Sequence, residues 1–161
     1  MSDFLLRPVV DNDKEWIKQL IIDRWGSEIV VAHQTIYTPS NLPGIVATHK
    51  SQCVGLITYQ IKGNECEIVT LDSLLPSMGV GTGLIEGVKK VAQDAGCLRL
   101  WLMTTNDNVQ ALHFYQKSGF ILVAIHSRAV EESRRIKPEI PLVNEEGIPI
   151  RDEVELEIIL G

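Results

Sequence analysis

The fold is decided by residues 74–90, "LLPSMGVGTGLIEGVKK". This stretch places three glycines two residues apart, at Gly79, Gly81 and Gly83, directly before an apolar-periodic segment. The first N–H groups of a helix have no partner within the helix, and the helix dipole favours anions there. Glycine leaves those groups accessible because it has no side chain. The stretch therefore predicts a helix start at the glycines. Either its N–H groups bind a phosphate, or the glycines only form a tight turn into a packed helix.

Three phosphate-binding motifs compete for these glycines. A Walker loop requires Gly-Lys-Ser/Thr, whereas Gly83 is followed by Leu84. A dinucleotide fingerprint requires G-x-G-x-x-G, and Leu84 breaks that pattern too. The third motif is the Q/R-x-x-G-x-G/A loop of acyl-CoA-binding transferases, and "PSMGVGTGLI" matches its two glycines, its small residue and its apolar helix. Taken alone, the glycines still favour the purely structural interpretation.

Length and composition narrow the functional classes. The 161 residues fit one domain, residues 1–161, with a substantial core. No apolar run reaches the roughly 18 residues that a membrane span needs, and the N-terminal "MSDFLLRPVV" shows no signal peptide. The three cysteines, Cys53, Cys66 and Cys97, form no CxxC pair, so neither a metal site nor a disulfide framework is expected. Reduced thiols of this kind predict a cytoplasmic protein.

The negative charge is concentrated near the C-terminus. The net charge is −6, and residues 131–161, with nine acidic and four basic side chains, contribute −5 of it. This distribution argues against nucleic acid as a partner. It favours a cationic partner, or else a solvated acidic surface that keeps the protein soluble.

Hydrophobic periodicity predicts a mixed sheet. The expected strands are residues 4–10, 44–50, 53–61, 65–75, 98–105, 120–130 and 153–160, and the expected helices are 11–25, from Leu84 to about 95, and 106–119. Strands 65–75 and 98–105 are joined by a helix and should be parallel, whereas the early strands are joined by tight turns and should be antiparallel. The predicted fold class is α/β (mixed α+β), with a central mixed sheet of about six to seven strands and helices on both faces.

Two motifs resemble a known family. "TTNDNVQALHFYQKSGF" (Thr104–Phe120) resembles the strand–Asn–helix–Tyr–x–x–x–Gly–Phe signature of the GNAT superfamily of N-acyltransferases. "EIVTLDSLLPSMGVGTGLI" (Glu67–Ile85) is similar to the strand and pyrophosphate loop that precede it in that family. The motifs occur in the family's order, and the continuous match covers about Glu65–Val123. The resemblance implies acetyl-CoA as co-substrate and no metal.

The resemblance also implies roles for individual residues. The backbone from Val69 to Leu71 would pair with the pantetheine arm of coenzyme A, and Asn108 would hydrogen-bond the arm, although a helix N-cap explains Asn108 equally well. Tyr115 would protonate the departing thiolate, because a phenol with a pKa of about 10 stays protonated at neutral pH; the alternative role is core packing. The pyrophosphate would lie on the backbone of Met78, Gly79, Val80, Gly81, Thr82 and Gly83.

A base must take the proton from an ammonium substrate. Glu65 and Glu67 lie two apart on one strand face, and some family members use a strand carboxylate near this position, so Glu67 is the expected base. The alternative is that both glutamates are surface residues. His33, in "VVAHQTIYT", is the second candidate, whereas His113 and His126 are expected to have no special partner.

One position departs from the family. Pro76 stands where the family usually has Gln or Arg, three residues before the first loop glycine. Proline has no N–H, so the loop would offer the phosphate one donor fewer, unless Ser77 supplies it instead. We therefore expect the chain to bind the coenzyme, but more weakly than family members with Gln or Arg at this position.

The predicted function is N-acetyl transfer from acetyl-CoA to a primary amine, by direct attack in a ternary complex. Residues 25–44 and 124–153 would shape the acceptor site, and the acidic C-terminal third favours a cationic acceptor. The long loop within residues 134–153 could also form a homodimer contact. The alternatives are a catalytically inactive acyl-CoA-binding sensor of the same fold, which Pro76 favours and Tyr115 disfavours, and a nucleotide-binding interaction domain.

Overall fold

The computed structural model describes residues 3–76 and 78–161. The strands formed by these residues are β1 (Leu5–Pro8), β2 (Val30–Ala32), β3 (Thr35–Tyr37), β4 (Gly44–His49), β5 (Gln52–Lys62), β6 (Glu65–Ser73), β7 (Arg99–Thr105), β8 (Ile121–His126) and β9 (Glu153–Ile159). The α-helices are α1 (Lys14–Trp25), α2 (Val80–Asp94), α3 (Val109–Lys117) and α4 (Ala129–Ile136). None of the helices in the described ranges is long and apolar enough to cross a membrane.

Seven strands form one mixed sheet in the order β1-β4-β5-β6-β7-β9-β8. The early strands pair antiparallel, as their short connections predict. β6 and β7 are parallel, because α2 carries the chain back between them. β9 inserts between β7 and β8 and is antiparallel to both. The predicted mixed sheet of six to seven strands is confirmed.

Helices cover both faces of the sheet, as predicted. Adjacent residues of β4 point to opposite faces: Val46 packs with α1, whereas Ala47 packs with α2. The inner side of α2 is fully buried at Leu84, Ile85 and Val88. Burying side chains of this size stabilises the fold by about 1.5–3 kcal/mol each, so packing on the sheet outweighs the weak helix propensity of the glycines in α2.

Several segments differ from the sequence-based prediction, and two of the differences concern the start of a helix. The strand expected over residues 120–130 ends at His126, and α4 begins at Ala129 after Arg128 takes a left-handed conformation with φ 63°. The N–H of Arg128 donates to the Asp152 carboxylate at 2.8 Å, which holds this turn from a distant part of the chain. α2 begins at Val80 rather than Leu84, so two of the loop glycines lie inside its first turn.

A short hairpin, β2–β3, covers the face of the sheet on which α1 packs, and periodicity did not predict it. Its two-residue turn consists of His33 and Gln34, with φ 40° and 59°. Residues other than Gly, Asn and Asp rarely adopt positive φ at both turn positions. The N–H of His33 donates to both carboxylate oxygens of Glu153, at 3.0 and 3.2 Å, so tertiary contacts stabilise the strained turn.

Candidate active site

The two parallel strands diverge. β6 and β7 pair over three positions only, and the last pair is Glu67 with Trp101. Beyond that pair, β6 remains bonded to β5 as far as Ser73, and β7 remains bonded to β9 as far as Thr105. The facing edges of the two strands are therefore unpaired beyond Glu67 within the described residues. This opening exposes the backbone from Val69 to Leu71 to any extended chain that enters it.

The N-terminus of α2 lies near the opening. Gly79 caps the helix in a left-handed conformation with φ 75°, which favours glycine. The N–H of Gly83 donates to the carbonyl of Gly79 at 2.9 Å and is thus used within the helix. The helix N-terminus therefore offers the N–H groups from Val80 to Thr82 to an anion. Ser77, the expected substitute donor to the phosphate, lies outside the described residues.

Two of the glycines also allow close packing. A Cβ atom on Gly81 would lie 3.2 Å from the Phe114 ring, and one on Gly83 would lie 2.8 Å from the Phe4 ring. Gly83 thus lets the aromatic ring of Phe4 approach α2, while its N–H belongs to the helix. The structural and the anion-binding interpretations of the glycines are both compatible with this geometry, because they concern different atoms.

α3 carries the two predicted polar residues of the second motif. Asn108 is the N-cap, and its Oδ1 accepts the N–H of Ala111 at 3.2 Å. Its side-chain NH₂ group stays available to a ligand. Tyr115 is half-buried, and the rings of Phe114 and Phe120 lie 5.3 and 5.5 Å from its own.

Tyr115 is suited to hold a proton. No described residue hydrogen-bonds its hydroxyl. Burial raises the pKa of the phenol, and the negative charge of Asp72 on β6 raises it further. A raised pKa keeps the hydroxyl protonated over the whole neutral range. The side chain therefore carries its proton at neutral pH and cannot serve as a base there.

Glu67 and His33, the two base candidates, form one hydrogen-bonded pair. Glu67 is only 5% exposed, and its Oε2 lies 2.8 Å from Nε2 of His33. The Tyr37 hydroxyl donates to the other oxygen at 2.5 Å. Nδ1 of His33 lies 3.2 Å from the hydroxyl of Thr35. The carboxylate is thus buried and oriented, and the imidazole, whose side chain is 28% exposed, connects it with solvent.

Glu67 raises the pKa of two neighbouring side chains, His33 and Tyr37. The hydrogen bond to Glu67 raises the pKa of His33, and the charge of Glu67 adds to this effect. Burial and the bond to Glu67 raise the pKa of Tyr37, so the phenol stays neutral. Sequence reasoning missed Tyr37 and Thr35, although the alternation His33–Thr35–Tyr37 is the spacing of one strand face and could have indicated them.

The raised pKa of His33 predicts a pH-dependent contribution to stability. A group whose pKa is higher in the folded state stabilises the fold fully below its unfolded value, about 6.5, and loses this contribution as pH rises through the folded value. We expect His33→Gln to lower the free energy of unfolding more at pH 6 than at pH 9. Urea denaturation of both proteins at the two pH values measures this. An equal loss at both values would contradict the interaction with Glu67.

His113 and His126 were both expected to have no special partner, and the structure differs between the two. His113 is exposed. The expectation that His126 has no special partner is wrong, because its Nε2 lies 2.8 Å from Oε1 of Glu155. Glu155 belongs to a charged network in which Arg99 also bonds Glu157 and, at 3.4 Å, Glu65. Among the described residues, no cluster of three or more His, Cys, Asp or Glu side chains could hold a metal ion.

A parallel strand pair that opens beside a helix N-terminus characterises transferases that bind an acyl-coenzyme A. The sequence profile of the Acetyltransferase (GNAT) family matches residues 14–120, and the chain belongs to this family. As a member it is an acetyltransferase with acetyl-CoA as its co-substrate. The predicted resemblance and the predicted enzyme class are therefore confirmed.

The chain also has relatives in sequence and in fold. The uncharacterized protein YdhI of Bacillus subtilis is 43% identical over 142 residues, which cover 88% of this chain and 89% of the relative. The IAA acetyltransferase of Bacillus cereus matches the fold with a TM-score of 0.74 at 20% identity, covering 98% of this chain and 99% of that chain. A Bacillus subtilis acetyltransferase in complex with CoA has a TM-score of 0.69 at 19% identity, covering 100% of both chains. At these identities the two structures show a shared fold.

Proposed function

We propose that the chain transfers the acetyl group of acetyl-CoA to a primary amine by direct attack within a ternary complex. The observation that carries this proposal is the opening of the β6–β7 pair after Glu67 and Trp101. An extended pantetheine arm would fit there as an additional strand, bonded to the backbone from Val69 to Leu71. The thioester would then lie close to the point where the strands diverge, beside Glu67.

The remaining coenzyme contacts follow from the ends of two helices. The pyrophosphate would lie on the backbone from Met78 to Thr82, with Gly83 contributing close packing rather than an N–H. The hydroxyl of Thr82 would add one donor. The NH₂ group of Asn108 would bond the pantetheine arm, while Oδ1 of the same residue caps α3. One asparagine can fill both roles because they use different atoms.

The chemistry needs a neutral amine, a stabilised oxyanion and a protonated leaving group. Positioning both reactants supplies much of the acceleration. The amine nitrogen attacks the thioester carbonyl, and a backbone N–H near Leu71 stabilises the oxyanion. As the C–S bond breaks, Tyr115 donates its proton to the coenzyme A sulfur.

The proton of the ammonium would pass to the Glu67–His33 pair, directly or through water. Glu67 is buried and oriented by Tyr37, and His33 leads from it to solvent. Because the Glu67 carboxylate and the His33 imidazole are joined by a 2.8 Å hydrogen bond, the pair rather than one residue is the proposed base.

The test is acetylation of a broad amine panel, analysed by mass spectrometry, with release of coenzyme A measured in parallel. The proposal predicts equal amounts of N-acetyl product and free thiol with at least one amine. Calorimetric titration with acetyl-CoA, with ATP and NAD as controls, checks the donor site independently. Binding of acetyl-CoA without transfer to any amine would favour the alternative of an inactive sensor.

Pro76 allows a gain-of-affinity prediction. We expect Pro76→Gln to lower the Kd for acetyl-CoA about tenfold, because a hydrogen bond to a charged group contributes about 1.5–3 kcal/mol. Pro76→Ala restores the backbone N–H without the side chain and separates the two contributions. Isothermal titration of the three proteins measures both. Unchanged affinity in Pro76→Gln would show that the loop binds the pyrophosphate without this position.

We also propose that the whole chain works as one domain, because one seven-stranded sheet includes strands from both ends of the chain. A cytoplasmic location is proposed because the three cysteines are free thiols. A homodimer is proposed because β8 is an outermost strand whose apolar side chains, Ile121, Leu122 and Ile125, are exposed. Light scattering after size-exclusion chromatography distinguishes a dimer from a monomer.

A further inference from the structure

A cavity of about 580 Å³ lies on the face of the sheet opposite α2. The end of α1, the hairpin strand β2, α4 and the loop that follows α4 enclose it. Its wall contains Thr105, the last residue of β7, and Trp25, whose indole N–H donates to Asp72 on β6 at 3.4 Å. The cavity therefore adjoins β7 directly and is connected with β6 through Trp25, on the face of the sheet away from α2.

The wall of the cavity is mainly apolar and holds three carboxylates, those of Asp107, Glu139 and Glu153, of which Glu153 is the buried one. Val30, Val31, Val130 and Ile140 supply much of the apolar surface. Glu153 is 5% exposed, and burial raises the pKa of its carboxyl group. Its hydrogen-bond donor is the backbone N–H of His33. A carboxylate in such surroundings is costly to desolvate unless a cation faces it.

The lining also carries two cations. The ammonium of Lys137 is buried and donates to the carbonyl oxygens of Trp25 and Ile29, at 2.8 and 2.9 Å. Arg24 also lines the cavity. With Asp107, Glu139 and Glu153 against Arg24 and Lys137, the lining has one net negative charge, so a single ammonium is favoured, beside the buried Glu153.

The cavity also borders a buried serine. Ser133 of α4 borders the cavity and is 2% exposed, and its hydroxyl has no hydrogen-bond partner among the described residues. Buried hydroxyls are nearly always paired, and an orphaned one is unfavourable. A polar group of a ligand in the cavity would supply the missing partner.

We infer that this cavity binds the acceptor, and that the acceptor is an amphipathic monoamine. Its ammonium pairs with Glu153, its apolar chain lies along β2 and α4, and a hydroxyl or carbonyl group bonds Ser133. This inference rests on the proposed acetyl transfer and specifies its substrate class. Diamines and polyamines are disfavoured, because a second ammonium would exceed the one net negative charge of the lining. A carboxylate and a hydroxyl thus bind the two polar groups of the acceptor.

The probes are ω-hydroxyalkylamines of four to eight carbons, the matching alkylamines, and the matching α,ω-diamines. Binding is measured as the thermal shift of the protein with coenzyme A present, and turnover as acetylated product. We expect the hydroxyalkylamine of at least one length to bind about tenfold more tightly than the alkylamine. Ser133→Ala should abolish that difference and leave the melting temperature of the free protein unchanged or higher.

Glu153→Gln keeps the side-chain shape and removes the charge. It should raise KM for all the amines about tenfold, with kcat less affected. Glu157→Gln is the control, because Glu157 lies on the same strand and face but does not line the cavity. Absence of hydroxyl preference at every length, or preference for the diamines, would overturn the inference. Binding with these preferences but without turnover would support the cavity and contradict the proposed transfer.

Discussion

Tyr115→Phe is expected to lower kcat about 10²-fold while leaving the Kd for acetyl-CoA unchanged. General acid catalysis of this kind contributes roughly 10²–10⁴-fold, and the lower end applies because a thiolate leaves more readily than most groups. The substitution removes one hydroxyl that has no described hydrogen-bond partner. The phenyl ring still packs against Phe114 and Phe120, so the fold should be unaffected.

The measurement is kcat at saturating amine, together with calorimetric titration of the coenzyme. Tyr59→Phe is the matched control, because Tyr59 is a half-buried tyrosine that packs against the same core and whose pKa is also raised by burial. An unchanged kcat in Tyr115→Phe would assign the residue to packing alone. Equal losses in both variants would indicate a general effect on the core.

The elements that the sequence predicted are those set by local patterns. The parallel order of β6 and β7 followed from the helix between them, and the burial of α2 followed from its apolar spacing. The start of α2 was placed four residues late, because glycine has a low helix propensity. Gly81 and Gly83 are nevertheless helical, and the absence of a Cβ atom at both positions leaves room for the rings of Phe114 and Phe4.

The elements that the sequence did not predict depend on distant contacts. The β2–β3 turn has no glycine or asparagine, and its His33 N–H is held by Glu153, which lies 120 residues further along the chain. The same holds for α4, whose entry turn bonds Asp152. No local pattern contains such information. For this reason Glu67 and His33 were separate candidates in the sequence, while in the fold they are one pair.

Glu67→Gln is the second substitution with a large expected effect: a decrease of about 10²-fold in kcat/KM at neutral pH. The amide can still accept the Tyr37 hydroxyl but cannot take a proton. The loss should shrink as pH approaches the pKa of the amine, about 10 for an alkylammonium, because the neutral amine then comes from solution. The pH dependence of kcat/KM measures both features.

Glu65→Gln is the matched control, since Glu65 shares the strand and face of Glu67 but is half-exposed and interacts with Arg99. It should change kcat/KM less than about twofold, because surface ion pairs contribute little. Comparable losses in the two variants would remove Glu67 from the mechanism. If Glu67 and His33 act as one base, Glu67→Gln and His33→Gln combined should cost little more than either alone. If the fold-losses of the two single variants instead multiply in the double variant, the two groups serve separate steps, because independent contributions to the activation free energy add.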